Sequence, residues 1–405
     1  MKGRFDMNKV VSIAPRMVQR SRSGTLAARL LGTVDEVVAA LRPSEPVYIL
    51  WPERIKATAK AFMHAFPGET MYAVKTNPHE SVIRALVQAG MKSFDAASLE
   101  EIRLVRRISK KARIHFMHTV KSPEAINRAY FEYGVRDFSL DTLDELNKIL
   151  EQTNFAQDLN LFVRFAPPKN GTAAIDFSSK FGASPEQSAL LLRAAREHSA
   201  KLGLCFHVGT QTIDPSVYSR TIAIAASIIE ASRVNVEILD VGGGFPVSYP
   251  GEDAPSIQAC IDEITSALAV HNLDHLELLA EPGRALVAES GSLVVRVELR
   301  KGDMLYINDG TYGGLFDAGP MLKTRYPVRA IRPSGENLSW TNKEYSFAGP
   351  TCDSLDMMEG PFMLPIDIGI GDWIEIGNLG SYSQSMRTNF NGFGACDTVC
   401  LHDTQ

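Results

Sequence analysis

The chain has 405 residues, of which 45% are hydrophobic and 22% charged, with a formal net charge of −5. This is the range of an ordinary globular protein, with length enough for a barrel and an accessory domain. No long Lys/Arg run appears, which argues against nucleic acid as a partner, and no stretch approaches the ~20 apolar residues of a membrane span. The basic N-terminus is not followed by an apolar signal core, so a cytoplasmic protein without a membrane partner is expected. Five cysteines (Cys205, Cys260, Cys352, Cys396 and Cys400) make an odd count that does not suit a disulfide framework. Cys396 and Cys400 have no second Cys or His pair nearby at ligand spacing, so no metal is expected. Neither a solenoid repeat nor a low-complexity stretch is visible.

Residues 1–44 are mixed in character, with an amphipathic helix near Val34–Leu41. A different rhythm holds from about Thr70 to Arg284, where short apolar strands alternate with helical segments. The strands read as Met71–Lys75, Ser93–Ala96, Ile114–His118, Asp137–Leu140, Leu161–Phe165, Leu204–Val208, Val236–Val241 and Leu276–Glu281. Between them, apolar residues recur at helical spacing, as in Val82-Ile83-Leu86-Val87. Ser184-Pro185, ahead of Ala189–Ala195, reads as a cap and first turn. Eight such units predict an α/β fold, a (β/α)₈ TIM barrel over residues 45–285, with an open doubly wound sheet as the competing arrangement. After Arg284 come Ser292–Leu299, Met304–Asn308, Tyr345–Ala348 and Trp373–Ile376, punctuated by Gly, Pro, Asn and Asp. This predicts a C-terminal all-β domain over residues 286–405, which residues 1–44 are expected to join.

The barrel is favoured because unusual polar residues fall at the strand ends throughout. Lys75, Asp95, His118 and Asp141 mark the first four, Arg164 the fifth and His207 the sixth. The seventh runs into Gly242-Gly243-Gly244, and the eighth into Glu281-Pro282-Gly283-Arg284. C-terminal strand ends form the active face of such barrels, and the loops after strands 7 and 8 often hold phosphate. Glycines let backbone N–H groups approach an anion, and Arg284 adds a bidentate donor. Lys75, in Tyr72-Ala73-Val74-Lys75-Thr76-Asn77, ends a strand that reads as buried. Loss of hydration there disfavours the ammonium form and frees an amine able to form a Schiff base with a carbonyl, including that of pyridoxal 5′-phosphate (PLP). Taken alone, each of these residues has a plainer reading: a snorkelling lysine, a strand-end salt bridge at Glu281, a core histidine at His207, a buried small hydrophobe at Cys352. Cys352, however, lies in the polar loop Pro350-Thr351-Cys352-Asp353-Ser354, which suits a reactive position better than a core one.

Seven ordered motifs carry a family resemblance. They are Tyr72–Asn77 around Lys75, His207-Val-Gly-Thr-Gln, Leu239–Pro246, Ala280–Arg284, Asn308–Gly313 with Tyr312, Gly349–Asp356 with Cys352 and Asp353, and Gly380-Ser-Tyr382. In these the chain resembles the fold-type III PLP decarboxylases of the ornithine and lysine group, which share the alanine-racemase-like fold, from about Glu45 to Phe393. The resemblance implies a PLP-binding barrel with a C-terminal β domain, and a homodimer with shared active sites, into which Cys352 and Asp353 enter from the partner chain. It also implies roles for residues. Lys75 is the Schiff-base lysine, Glu281 pairs with the pyridine nitrogen, and His207 stacks on the ring. Asp95 and Arg164 orient Lys75 and the ring, and Thr210, Gly243, Gly244, Gly283, Arg284 and Tyr382 surround the phosphate. Cys352 is the acid that returns a proton to the α-carbon. Asp353, with Tyr312, faces the distal ammonium of a basic L-amino acid.

The implied reaction is decarboxylation of L-ornithine to putrescine, a step of polyamine biosynthesis; L-lysine to cadaverine, or both, are the alternatives. One departure bears on that choice. Where ornithine decarboxylases carry an acid about nine residues past the tyrosine of the Asp-Gly-x-Tyr-Gly motif, this chain has Met321, and Asp317 lies four residues earlier. Asp317 is therefore expected to be a displaced acid of the far wall. Diaminopimelate decarboxylase is disfavoured because Asp353 replaces the glutamate usual beside the cysteine. A racemase of the same barrel class is disfavoured by the Cys-Asp motif, and a catalytically inactive regulatory homologue by the retained Lys75, Cys352 and Asp353.

Overall fold

Eight parallel strands close on themselves, each followed by a helical crossover. The computed structural model describes residues 32–168, 180–333 and 336–402, together with 19–20 and 25–27. The barrel strands are Glu69–Ala73, Ser93–Ala96, Arg113–Phe116, Asp137–Leu140, Asn160–Arg164, Lys201–Cys205, Ile238–Asp240 and Glu277–Ala280. Leu279 and Ala280 pair with Glu69 and Thr70 and close the ring. These strands are buried on both faces, and accordingly read as short apolar runs rather than alternating ones. Several of the helices between them start where side-chain oxygens satisfy free N–H groups. Ser98 caps Leu99–Ile108, Thr142 caps Leu143–Gln152, and Ser184 forms a capping box with Gln187 at Pro185–Arg196.

The barrel is filled, not hollow. Met71, Met117, Phe162, Cys205, Ile238 and Leu279 pack across its axis. At the N-terminal face Arg113 bonds both oxygens of Asp137 at 3.1 and 2.7 Å and Glu69 at 3.1 Å. That face is thus sealed by an ion network, and access is left to the opposite end, where the C-terminal strand ends lie.

Three of the expected strand ends need correction. The strand before Lys75 stops at Ala73, and Lys75 belongs to a one-turn 3₁₀ segment, Val74–Thr76. His118 and His207 likewise lie two residues beyond their strands. In each case the chain has left the ladder and its side chain turns over the strand end. The start of the barrel region also moves. Val47–Leu50, placed with the barrel from residue 45, pairs instead with Gly291–Lys301 and Asp397–Cys400 in the second sheet.

That second sheet has ten strands. Its order runs Gln19–Arg20, Thr25–Ala27, Asp397–Cys400, Val47–Leu50, Gly291–Lys301, Met304–Ile307, Asn342–Ala348 and Met357–Pro365. Trp373–Ile376 pairs with both Gly291–Lys301 and Val328–Ile331. The helix Val34–Leu41 packs Val34, Val37 and Val38 against Val47, Ile49, Trp51, Val294 and Trp373, so this part of the N-terminal segment belongs to the β domain. The other residues of that segment, 1–18, 21–24 and 28–31, lie outside the described residues. Among the described residues no helix is long and apolar enough to cross a membrane.

Candidate active site

At the C-terminal mouth of the barrel, Lys75, Arg164, Phe181, His207, Thr210, Arg284, Phe316, Asp317, Leu322, Tyr382 and Met386 line a cavity of about 280 Å³. A smaller adjoining cavity shares Lys75, Arg164 and Phe181 and adds Asp95, His118 and Glu281. The strand-end side chains singled out in the sequence therefore converge from around the ring, except Asp141, which lines neither cavity and accepts from Gly182 N–H at 2.9 Å.

Lys75 Nζ lies 3.4 Å from Asp95 Oδ2. Burial alone would favour the neutral amine, as expected from the sequence. The carboxylates of Asp95 and Glu281 together outweigh it, and the Lys75 pKa is raised, not lowered. Glu281 moves the other way. Burial, then Asp240, then Asp95 push its carboxyl well above the usual range. Asp240 is fully buried directly below it, two residues before Gly242. Its Oδ1 accepts from Gly242 N–H at 2.9 Å, and burial pushes its pKa up to about 6. Asp240 Oδ2 has no hydrogen-bond partner among the described residues, and the two buried acids act on each other electrostatically.

His207 is held by its own loop, since Gly209 N–H donates to Nδ1 at 3.1 Å. Burial, then Lys75 and Arg164, hold its pKa well below normal. A neutral ring bonded in this way carries its proton on Nε2. Gly243 lies beside this imidazole. A Cβ there would come within 2.8 Å of Glu281 O and 2.9 Å of His207 Nε2, so no larger residue fits. Gly244 has a φ of +102°, the region glycine alone adopts freely. A Cβ on Gly283 would collide with Thr76.

Arg284 is buried and tethered. Its Nη1 donates to Tyr249 OH at 2.9 Å and its Nη2 to Asp317 Oδ2 at 2.9 Å, while Nε has no partner among the described residues. Asp317 thus forms a buried ion pair with Arg284 on the one-turn segment Phe316–Ala318. Met321, at the position of the usual acid, is exposed. The rest of that wall is apolar: Phe181, Phe316, Leu322 and Met386.

Cys352, Asp353 and Tyr312 do not line the Lys75 cavity. They lie on the β domain in an exposed group of loops. Tyr312 OH donates to Asp353 Oδ2 at 2.5 Å, and Leu355 N–H donates to Oδ1 at 2.9 Å. The Leu355 and Tyr312 bonds hold the Asp353 carboxyl below its usual value. The cavity residues Phe181, Phe316, Leu322 and Met386 carried no signal in the sequence, nor did Tyr249, the buried partner of Arg284. Asp240 was visible only as part of a glycine motif.

The cavity's lysine, buried acid pair, glycine turn and arginine form a site for an anionic, ring-bearing carbonyl compound. A family model described as the pyridoxal-dependent decarboxylase, pyridoxal binding domain, matches residues 52–288. The chain belongs to the pyridoxal-dependent decarboxylases. The chloroplastic ornithine decarboxylase of Nicotiana glauca is 32% identical over 88% of this chain and 83% of that protein. Diaminopimelate decarboxylase from Actinosynnema pretiosum is 30% identical over 92% of this chain and 88% of that one. Among solved structures, the lysine/ornithine decarboxylase of Vibrio vulnificus in complex with putrescine superposes with a TM-score of 0.76. It shows 30% identity and covers 92% of this chain and 100% of that one. The family fixes the fold type, the PLP cofactor and the reaction class. The decarboxylase's own residues fit that cofactor: an amine beside buried acids, an unpartnered buried guanidinium N–H, and glycines at 243, 244 and 283 whose Cβ atoms would collide or require strained backbone.

Proposed function

We propose that this decarboxylase acts on L-ornithine, releasing putrescine for polyamine biosynthesis, within a homodimer whose two sites each draw on both chains. The carrying observation is Asp353: a half-buried carboxylate kept ionised beside the exposed Cys352, on a surface outside its own chain's cavity. Exposed Met321 and Leu355 line one cleft with Tyr312, and the exposed Phe390 ring packs against Tyr312. Such an apolar rim supports a second copy as its cover.

When bound, PLP supplies a ring that accepts the electron pair left behind as CO₂ departs. The protein's part is positioning and protons. Lys75 is the amine to which the cofactor attaches. Glu281, with the buried Asp240 behind it, would hold the ring nitrogen through its carboxyl, and a protonated nitrogen there would in turn favour the ionised Glu281. His207 presents a neutral ring, because it is buried and a third cation beside Lys75 and Arg164 is costly. Arg284, the Gly243–Gly244 turn, Gly283, Thr210 and Tyr382 surround the phosphate, and Asp95 and Arg164 orient Lys75 and the ring. The partner subunit's Asp353 binds the substrate's distal ammonium, and the partner subunit's Cys352 donates a proton to the α-carbon.

L-lysine, or both substrates, is the second reading, favoured by one observation. With Asp317 engaged by Arg284, the far wall is apolar and accommodates an extra methylene. Diaminopimelate is disfavoured, since Asp353 repels a distal carboxylate. The test is a panel of ornithine, lysine, arginine and diaminopimelate with CO₂ and amine measured. Ornithine is expected to give the highest kcat/KM. A preference for diaminopimelate, or no CO₂ from any diamino acid, overturns the proposal.

A further inference from the structure

Asn391 belongs to the short turn Phe390–Gly392 and has a φ of 53°, in the left-handed region that asparagine tolerates better than most residues. Its Oδ1 lies 3.2 Å from the backbone N of Cys352 and 3.3 Å from Cys352 Sγ. The identity of that amide atom is forced. A backbone N–H only donates, so an acceptor must face it; a flipped amide would set two donors against each other. The Cys352 sulfur therefore meets an oxygen lone pair. A thiol can donate to it, whereas a thiolate would be repelled.

The turn is fixed to the loops it serves. Thr388 donates to Tyr312 O through both N–H and Oγ1, at 2.9 and 3.0 Å. Phe390 N–H bonds Thr388 Oγ1 at 3.3 Å, and the Phe390 ring lies 4.8 Å from that of Tyr312. Tyr312 in turn holds Asp353. Within its own chain, Asp353 and Asp356 from the Cys352 loop and Tyr312 from the adjoining one share this neighbourhood with Cys352. None of these is a cation that would stabilise a thiolate.

We propose that Asn391 is a positioning residue that aims the Cys352 thiol and keeps its proton on sulfur until the substrate carbon takes it. This rests on the reading of Cys352 as proton donor. It differs from the use of cysteine as a nucleophile, where a neighbouring base or cation strips the proton. Here one carbonyl oxygen works in the opposite direction, and the same oxygen fixes the loop through the backbone N–H.

The test is the rate of Cys352 alkylation by iodoacetamide against pH, in the holoenzyme, with peptide mapping to isolate this thiol. Asn391→Ala removes the opposing lone pair and frees the Cys352 N–H, so alkylation at pH 7 should become about tenfold faster, with the midpoint shifted down by roughly one pH unit. Asn391→Asp places a negative charge there and should slow alkylation about tenfold, with the midpoint shifted up. Opposite shifts are the signature, because a merely structural role moves both variants the same way. Shifts in one direction, or none, overturn the proposal. If Asn391→Ala loses the fold, Asn391→Asp against the parent decides: unchanged or faster alkylation overturns it. The underlying reading fails separately: if enzyme alkylated at Cys352 still forms amine at the full rate, Cys352 is not the donor, whatever the Asn391 variants show.

Discussion

Around Lys75 the chemistry is governed by buried charge, and around Cys352 by hydrogen bonds from uncharged groups on a surface loop. The barrel cavity gathers Asp95, Asp240, Glu281, Arg164 and the Arg284–Asp317 pair within protein that screens little, so each group alters its neighbours' ionisation. The Cys352 loop has Tyr312, Asn391 and Leu355 N–H as its partners, which fix position but shift charge modestly. The barrel half can therefore tune protons within a single chain. The loop half becomes a low-dielectric environment only when another surface covers it.

The sharpest break of this contrast is Lys75→Ala. It should reduce turnover to background and abolish the cofactor's absorbance band. In the parent enzyme, borohydride reduction and peptide mapping should place the pyridoxyl group on Lys75; a label on another lysine would refute the assignment. Next comes the division between chains. Lys75→Ala and Cys352→Ala proteins, each inactive, should recover up to ~25% of parental activity on mixing, since one site of each heterodimer is intact. Subunit exchange without recovery counts against shared sites.

Asp353→Ala should separate binding from stability. It should lower kcat/KM for the diamino acid by about 10²-fold or more, as expected for loss of a partly desolvated charge partner. Its effect on the thermal midpoint should be smaller, because only the two hydrogen bonds of a half-buried surface side chain are lost, on the order of 1 kcal/mol. An equal loss of cofactor binding would break the distinction drawn here. A smaller effect concerns Asp240 in the cofactor-free protein. Its folded pKa is raised from 3.8 to about 6. Between those values the folded state binds the extra proton, so stability falls as pH rises through that window and stays lower above it. Asp240→Asn, which keeps an oxygen for Gly242 N–H, should therefore be more stable than the parent at pH 7 by on the order of 1–3 kcal/mol, and should lose that advantage below pH 4. Thermal midpoints across pH 3.5–8 would show it; a constant difference would refute it. The smallest effect is expected for Asp317→Asn. With that carboxylate spent on Arg284, the ornithine-to-lysine ratio in kcat/KM should change less than about twofold, whereas a free wall acid would give 10-fold or more.

The barrel was legible because its strands are short apolar runs at a regular interval, and the polar residues at their ends stand out against them. Their final turns were not. Val74–Thr76 keeps the apolar look of a strand, but its backbone has already curled, and nothing in residue type marks that point. Val47–Leu50 resembles a barrel strand because it too is wholly buried; which sheet it joins depends on pairing with residues more than 240 positions away. Met357–Pro365 was hidden by Gly360-Pro361 in its middle, a pair that ordinarily ends strands. The raised basicity of Lys75 required two carboxylates from other strands, whereas the sequence offered only the burial that opposes them. Asn391 gave no signal at all, since its meaning depends on one left-handed turn.

The strand Val47–Leu50 also has a consequence for biosynthesis. Both of its neighbours, Gly291–Lys301 and Asp397–Cys400, follow the entire barrel in the chain. At roughly 5–20 residues per second, the ribosome takes on the order of 10–50 s to deliver the first of them. During that interval the barrel can close around its own core, while an apolar strand waits with both edges unpaired. Nascent chains of this enzyme thus carry a barrel whose cavity still lacks Asp317 and Tyr382, together with an unfinished sheet, and the hazard of misassembly is greatest at that early strand, which has both edges open.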